Sequence, residues 1–570
     1  MFAWLLVILV ANLCSAEPPS KADTVIVNAK VYTVNARQPW AEAVAIRGET
    51  ILAVGTEQEI AAFRGLDTRV VDAGGHLLLP GFTDCHIHFM DGSLSLQGVN
   101  VDEAKSLAEI QSMVKAFADS HPKAPWILGR GWRYPVFGAA ALPHKKYLDE
   151  VEPNRPAFLE GFDGHTFWAN SKALAAAGIT RQTADPPNGK IVRDPDTGEP
   201  TGALEESAFD LIDKVIPRPT REQRLAALRQ GIYEANKVGL VRVHSAGQDF
   251  EYLDLFDELR RQGQLSLRFY IAYFLDPPEL TQAALQQIED ARKKYNDEWI
   301  SGGAVKTMLD GVIESHTAAM LEPYTDDPSQ SGKLFWDPVK YKRAVRELDR
   351  RGLQVFTHAI GDRAIRLTLD AYEEAHNKNM TTGSRDRVEH IESASSSDIP
   401  RFGKLGVIAS MQPLHAYPDD DTLNVWAHNA GSNRASRGWA WHSIAASGGR
   451  LAFGSDWPIV TLNPWPGVQN ALTRQTTEGT PPGGWLPNER LTLAQTIEAY
   501  TLGAAYAGKR EKTEGSIEPG KLADMIIVSQ NLFEIPANKT GETRVLLTMV
   551  GGKNVYESAE WKARRTEMKP

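Results

Sequence analysis

His86 and His88 stand two residues apart in Phe82-Thr83-Asp84-Cys85-His86-Ile87-His88, which closes an apolar run that begins at Leu77. Bounded by Gly74-Gly75 before it and polar residues after it, the run has the form of a buried strand. Side chains two apart on a strand point to the same face. Two imidazoles converging at a strand end can chelate one metal ion. Alone, the pair is equally well two ordinary histidines on a half-buried strand, so later strands must supply further ligands.

They offer a coherent set. Lys306 follows Gly303-Ala304-Val305 on a strand that continues into Thr307-Met308-Leu309-Asp310; His358 ends Leu353–Thr357, His390 ends Arg387–Glu389, and Asp456 ends Leu451–Ser455. Each lies at the carboxyl end of an expected strand, where barrel enzymes keep their chemistry. Any one of them is ordinary by itself. Five metal-type residues and a lysine at the ends of separate strands point to one shared site.

The elements that must position them alternate. Ser106 and Glu109 form a capping signature before Leu107, Ile110, Met113, Val114 and Phe117 at helical spacing. Thr220 and Gln223 repeat it before a helix over Arg224–Lys237 that Gly239 stops, and Asp337-Pro338 starts a helix ending by Gly352. The βα repetition predicts an α/β fold, a (β/α)8 TIM-like barrel. Trp126–Gly129, Ala157–Gly161, Leu240–Val243 and Leu267–Tyr273 are all strand-like, although eight strands require only two of them; the sequence does not say which. Arg133–Pro153, Ala184–Pro200 and Leu414–Trp441 are expected as loops over one barrel mouth. Short β patterns from Thr24 to Asp72, and from Gly520 to Tyr556, are each too small to bury a core. They predict one small β-sandwich-like domain built from both chain ends. The expected division is residues 1–16 as signal peptide, 17–78 and 510–570 as the two parts of that domain, and 79–509 as the barrel.

The chain of 570 residues carries a formal net charge of -10, which argues against a nucleic-acid partner. Phe2 to Ala11 is continuously apolar and precedes Cys14-Ser15-Ala16, a small-residue cleavage pattern before Glu17. The run is short for a membrane span, so the expectation is a cleaved leader and a secreted or periplasmic protein, with an uncleaved anchor as the alternative. Cys85 is then alone in the mature chain and is expected to pack away from the metal side. The expected partners are a small-molecule substrate, no nucleic acid, no membrane once the leader is cleaved, and a second copy of the chain as a homodimer.

Pro80–His88 (PGFTDCHIH), Asp163–Leu174 (DGHTFWANSKAL), Gly302–Gly311 (GGAVKTMLDG), Thr357–Ala364 (THAIGDRA), Val388–Glu392 (VEHIE), Ser410–His415 (SMQPLH), Phe453–Pro458 (FGSDWP) and Pro519–Val528 (PGKLADMIIV) together resemble the amidohydrolase superfamily. Within it the chain is similar to the large metal-dependent hydrolases of the N-substituted formamide deformylase type, over essentially everything after the leader. The resemblance implies two divalent metal ions, zinc by ligand type. One would be bound by His86, His88 and Asp456, the other by His358 and His390, with a carboxylated Lys306 as bridging ligand. It also implies hydrolysis of a non-peptide amide-type C–N bond, of the N-acyl or N-formyl amine class, through a metal-bound hydroxide, with Asp456 as the catalytic proton carrier.

Several positions depart from that pattern. His316 stands where related sequences carry Arg, Arg133 stands where they carry Asp, and His244-Ser245 lacks an acidic residue often found there. These departures leave the metal set intact and the substrate open. Trp132, His165 and His244 are candidate substrate-binding residues, while His76, His121, His144, His376 and His442 read as surface or capping residues. Two other readings compete: a mononuclear deaminase on the same barrel, which does not need Lys306, and a non-catalytic metal-binding barrel, which would show lost ligands.

Overall fold

The computed structural model describes residues 20–138, 142–162, 164–275 and 279–567; the expected leader, with Cys14, lies outside them. Eight parallel strands form the central sheet, numbered β1–β8 in chain order: Phe82–Ile87, Leu240–Ser245, Arg268–Phe274, Ile300–Met308, Gln354–Ala359, Arg387–His390, Ile408–Met411 and Arg450–Phe453. The ring is nearly closed. Beyond β8, Asp456 N donates to His86 O over 2.7 Å, and Ser455 N donates to Asp84 Oδ1 over 2.9 Å. This is the TIM-like barrel that the βα repetition predicts.

The helix starts follow the local signals. Thr220 accepts from Gln223 N, and the Gln223 side chain returns to Thr220 N, opening the helix Arg221–Lys237. Asp337 accepts from Val339 N and Lys340 N ahead of Pro338–Arg350. Ser106 caps Leu107–Ser120, but the Glu109 carboxylate turns to Lys105 N instead, so only half of the expected box forms.

One open choice is resolved and two expectations need correction. Of the four strand-like runs, Leu240–Ser245 and Arg268–Phe274 enter the barrel, whereas Ile127–Trp132 and Ala157–Gly161 belong to a separate six-stranded sheet. That sheet, built from strands between Val99 and Glu206, lies in sequence between β1 and β2. Second, the run from Leu77 to Ile87 is two strands. Leu77–Pro80 pairs with Lys30–Tyr32 and with Met525–Val528, while Phe82–Ile87 enters the barrel. The break falls at Gly81, where an added Cβ would lie 2.2 Å from Val241 Cγ1, so only glycine lets β2 approach this closely. Third, the expected loops hold structure of their own: Gly189–Arg193 is a strand, and Asp421–Trp426 and Ala427–Ala435 are helical.

Both chain ends meet beneath the barrel. A four-stranded sheet (Thr50–Gly55, Ala43–Arg47, Thr24–Val27, Arg69–Asp72) shares an apolar core with a six-stranded one that runs from Lys553–Glu557 to Trp40–Ala41. Ile26, Val44 and Ile46 pack there with Leu78, Met525, Ile527 and Leu547. Two buried ion pairs tie this region to the barrel. Arg242 of β2 forks onto both Glu514 oxygens at 2.6 Å, and Arg268 of β3 reaches Asp524 at 2.7 Å.

Candidate metal centre

His86, His88, Lys306, His358, His390 and Asp456 come together at the carboxyl ends of β1, β4, β5, β6 and β8. Donor atoms of His86, His390 and Asp456 all lie within 4.8 Å of one another. Asp456 Oδ1 is 3.1 Å from His88 Nε2 and 3.4 Å from His86 Nε2, while Lys306 Nζ is 3.3 Å from His86 Nε2. The His358 and His390 rings lie edge to face, their centroids 4.6 Å apart. The backbone at two of these strand ends is held in the left-handed region, with φ of 73° at His390 and 63° at Asp456. Such conformations cost free energy and persist where the surroundings impose them, commonly at functional sites.

The site's electrostatics suit a cation. Burial, with the Lys306 charge added, pushes His86 down to about 4. Burial likewise holds His358 and His390 well below the ordinary imidazole value, so all three are neutral donors at pH 7. Burial also lowers the Lys306 ammonium, against the pull of Asp456 and Glu389. Burial would raise the Asp456 carboxyl, but His86, His88 and His390 more than offset it and hold it well below its usual range. Asp456 Oδ1 is buried without a hydrogen-bond partner. Neutral imidazoles around an ionised, under-satisfied carboxylate form a donor set that a divalent metal completes.

Comparison with known proteins identifies the family. The model of the family described as "Amidohydrolase family" matches residues 69–556. The chain belongs to that amidohydrolase family. It is 33% identical to the Arabidopsis thaliana protein LONG AFTER FAR-RED 3 over 96% of this chain and 94% of that one. The N-substituted formamide deformylase of Arthrobacter pascens is 27% identical, over 94% and 98% of the two chains. An uncharacterized metal-dependent hydrolase from Pyrococcus horikoshii has the same fold, with a TM-score of 0.71 at 24% identity, covering 91% of this chain and 99% of that one.

Behind these candidate ligands the amidohydrolase carries a layer that strand-end position alone does not reveal. His86 Nδ1 lies 2.6 Å from Glu389 Oε2, and His390 Nδ1 lies 2.9 Å from Gln412 Oε1. Each contact fixes one ring nitrogen as donor and leaves Nε2 available to a metal ion, the usual arrangement behind metal-binding histidines. Burial would raise the Glu389 carboxyl, but Arg387 and His86 hold it down at about 2. Both residues sit beside motif positions, Glu389 immediately before His390 and Gln412 immediately after β7, and that adjacency was the available signal.

His244 is corrected by the same network. It lies one layer below His86, fully buried, with Nδ1 3.1 Å from Arg387 Nη1 and 3.6 Å from Cys85 Sγ. A substrate in the pocket does not reach it. Cys85 packs against Ile408, Ala452 and Ala504, and burial raises its thiol to about 12, which leaves no nucleophilic thiolate. Trp132 is corrected as well: it is buried in the core of the inserted sheet, its Nε1 donating to Leu159 O, and it does not line the pocket.

The pocket above the centre has a volume of about 940 Å³. His165 does line it, with Nδ1 3.0 Å from Glu206 Oε2. Arg133 also faces it, bridging Asp102 of the inserted region to Asp419 and Asp421 at 2.8, 3.1 and 3.0 Å. His415, carried on the segment after β7, stacks parallel to His390 with its Nε2 3.5 Å from Asp456 Oδ2. It lies four residues beyond the end of β7, outside the strand-end positions that mark the other histidines.

Proposed function

We propose that this amidohydrolase cleaves a non-peptide amide-type C–N bond, of the N-acyl or N-formyl amine class, at a dinuclear centre. The observation that carries the reading is the convergence of His88, His358, His390, Asp456 and a buried Lys306 on the floor of one pocket, with His86 buried against them. The similarity to an N-substituted formamide deformylase supports the choice of bond. His86, His88 and Asp456 would hold one ion and His358 and His390 the other, zinc in each case by ligand type. Lys306 would bridge them after its neutral Nζ adds to carbon dioxide and releases a proton, becoming a carbamate. The bound ions supply a water activated near neutral pH and polarisation of the scissile carbonyl.

The chain's own groups do the rest. Asp456 takes the proton from the attacking water and returns it to the leaving nitrogen. His165, fixed by Glu206, orients the substrate from the wall, and the Arg133 ion pairs hold that wall over the floor. The two end sheets are read as the sandwich-like accessory domain, and the leader as directing export, with a mature chain beginning near Glu17. N-terminal sequencing of native protein that returned Met1 would remove the cleavage. Among the described residues, no helix is long and apolar enough to cross a membrane.

A hydrolysis screen of metal-replete protein over N-formyl, N-acyl and ester libraries tests the reaction, with turnover expected on the amides. Metal analysis separates the enzyme rivals, since two equivalents at this centre fit the proposal and one fits a deaminase, while no turnover on any library fits a non-catalytic barrel. Lys306→Ala should lose activity and at least one metal, with short carboxylic acids restoring part of the activity. An unmodified lysine in a metal-replete crystal structure would refute the bridge.

A further inference from the structure

A second group of metal-type donors lies at the opposite end of the barrel. His376 is in the last turn of the helix Asp362–Asn379, Asp349 is near the end of Pro338–Arg350, and Asp386 immediately precedes β6. Asp386 and the ligand His390 stand at opposite ends of β6, about 13 Å apart at ~3.3 Å per residue. The two groups are therefore separate, and the second stands independently of the proposed reaction.

The contacts around His376 do not close among protein atoms. Its Nε2 lies 2.9 Å from Asp386 Oδ2, 2.6 Å from Ser384 Oγ and 4.0 Å from Asp349 Oδ1. One ring nitrogen carries at most one proton. If it donates to Asp386, Asp349 Oδ1 is left without a hydrogen bond, and that side chain is only 1% exposed. The other oxygens are already engaged. Asp349 Oδ2 accepts from Asn379 Nδ2 at 2.8 Å and Thr381 Oγ1 at 2.7 Å, and Asp386 Oδ1 accepts from Val355 N at 2.9 Å. Each carboxylate is thus anchored by one oxygen and turns the other toward the same imidazole nitrogen. Buried carboxylate oxygens in native proteins have partners, and an orphan implies a missing one. Lys509 lies near enough to feel both charges but makes no ion pair with either among the described residues.

We propose that His376, Asp386 and Asp349 bind a further divalent cation, zinc by ligand type, with Ser384 Oγ or a water as the fourth ligand. Ligand bonds of about 2.0–2.2 Å in a tetrahedral site place donors roughly 3.3–3.5 Å apart. The separations of 2.9 and 4.0 Å from His376 Nε2 bracket that value. With its ligands coming from two helices and the residue that leads into β6, the ion clamps Pro338–Arg350 and Asp362–Asn379 to the underside of β6. No substrate reaches it, so its role is structural.

The test uses the full chain with zinc supplied. Wild type should carry one more equivalent than His376→Gln or Asp349→Asn, while both variants keep their hydrolytic turnover. Zinc-edge anomalous scattering from wild-type crystals should peak among the three side chains. A chelator should lower the thermal midpoint of wild type by more than that of either variant. Equal metal content in wild type and a folded variant, or no anomalous peak at this position, overturns the site. So does a His376 ring that NMR shows doubly protonated at neutral pH, because the cluster would then be an ion pair. If His376→Gln fails to fold, the wild-type anomalous map and Asp349→Asn decide.

Discussion

Asp456 is where ligation and proton transfer can be told apart, because Oδ1 faces His88 and His86 while Oδ2 lies toward His415. Asp456→Asn preserves shape and one acceptor but cannot take a proton. Metal content should change little while kcat falls about 10²–10⁴-fold, the usual worth of a general acid–base group. Near-normal turnover with the metals bound would remove Asp456 as proton carrier and bring His415 or His165 forward. The imidazoles set a second expectation. A histidine binds metal only when neutral, so protons compete only as the pH nears that ligand's own value. Burial lowers His86 to about 4 and puts His358 and His390 well below ~6.5. Metal content should therefore hold as the pH falls through the ordinary imidazole value of ~6.5, with loss setting in only at lower pH. Metal analysis after dialysis that finds the loss centred near 6.5 would show that the ligands are ordinary, accessible imidazoles.

At the scale of elements, Gly454 lets the end of β8 lie close against β1. A Cβ there would lie 2.5 Å from His86 N and 2.7 Å from Asp84 Oδ1. Gly454→Ala should cost about 1–3 kcal/mol, as overpacking does, and should lower metal occupancy because Asp456 lies two residues further on. Thermal unfolding and metal content together check this, and an unaffected metal site would mean that β8 yields without moving its ligand. How much could be read beforehand obeys the same division between local and non-local. Thr220 with Gln223, Asp337 with Pro338 and the ends of β5, β6 and β8 are local signals, and they locate helices and ligands. The distinction between Ile127–Trp132 and Leu240–Ser245 is not local. Both are short apolar runs, and only pairing with Phe82–Ile87 makes one of them a barrel strand. His244 failed for a related reason: a strand-end position gives height along the barrel only approximately, and one residue of depth puts the ring beneath the floor. Trp132 failed because an aromatic on the inserted sheet serves that sheet's own core.

For the whole molecule, the barrel and the end sheets are joined through charges that neither could bury alone. Burial raises the Glu514 carboxyl while Arg242 draws it back, and Arg242 itself is 1% exposed. Glu514→Ala strands that guanidinium. The expected loss is about 3–5 kcal/mol, the scale for breaking a buried pair by removing one partner. Urea unfolding measures it, and a loss below ~1 kcal/mol would place the anchoring elsewhere, in the apolar contacts.

The pairing of Leu77–Pro80 with Met525–Val528 also sets a timetable. A ribosome adding roughly 5–20 residues per second needs on the order of 20–90 s to travel from one strand to the other. Throughout that interval Leu77, Leu78 and Leu79 present an apolar edge with no neighbour on one side, the kind of edge that recruits other chains. Completion of the fold is thus an event at the end of synthesis. A chain clipped before Met525 is left with a sticky edge rather than a smaller working enzyme, and holding the growing chain apart from its siblings becomes a task for chaperones.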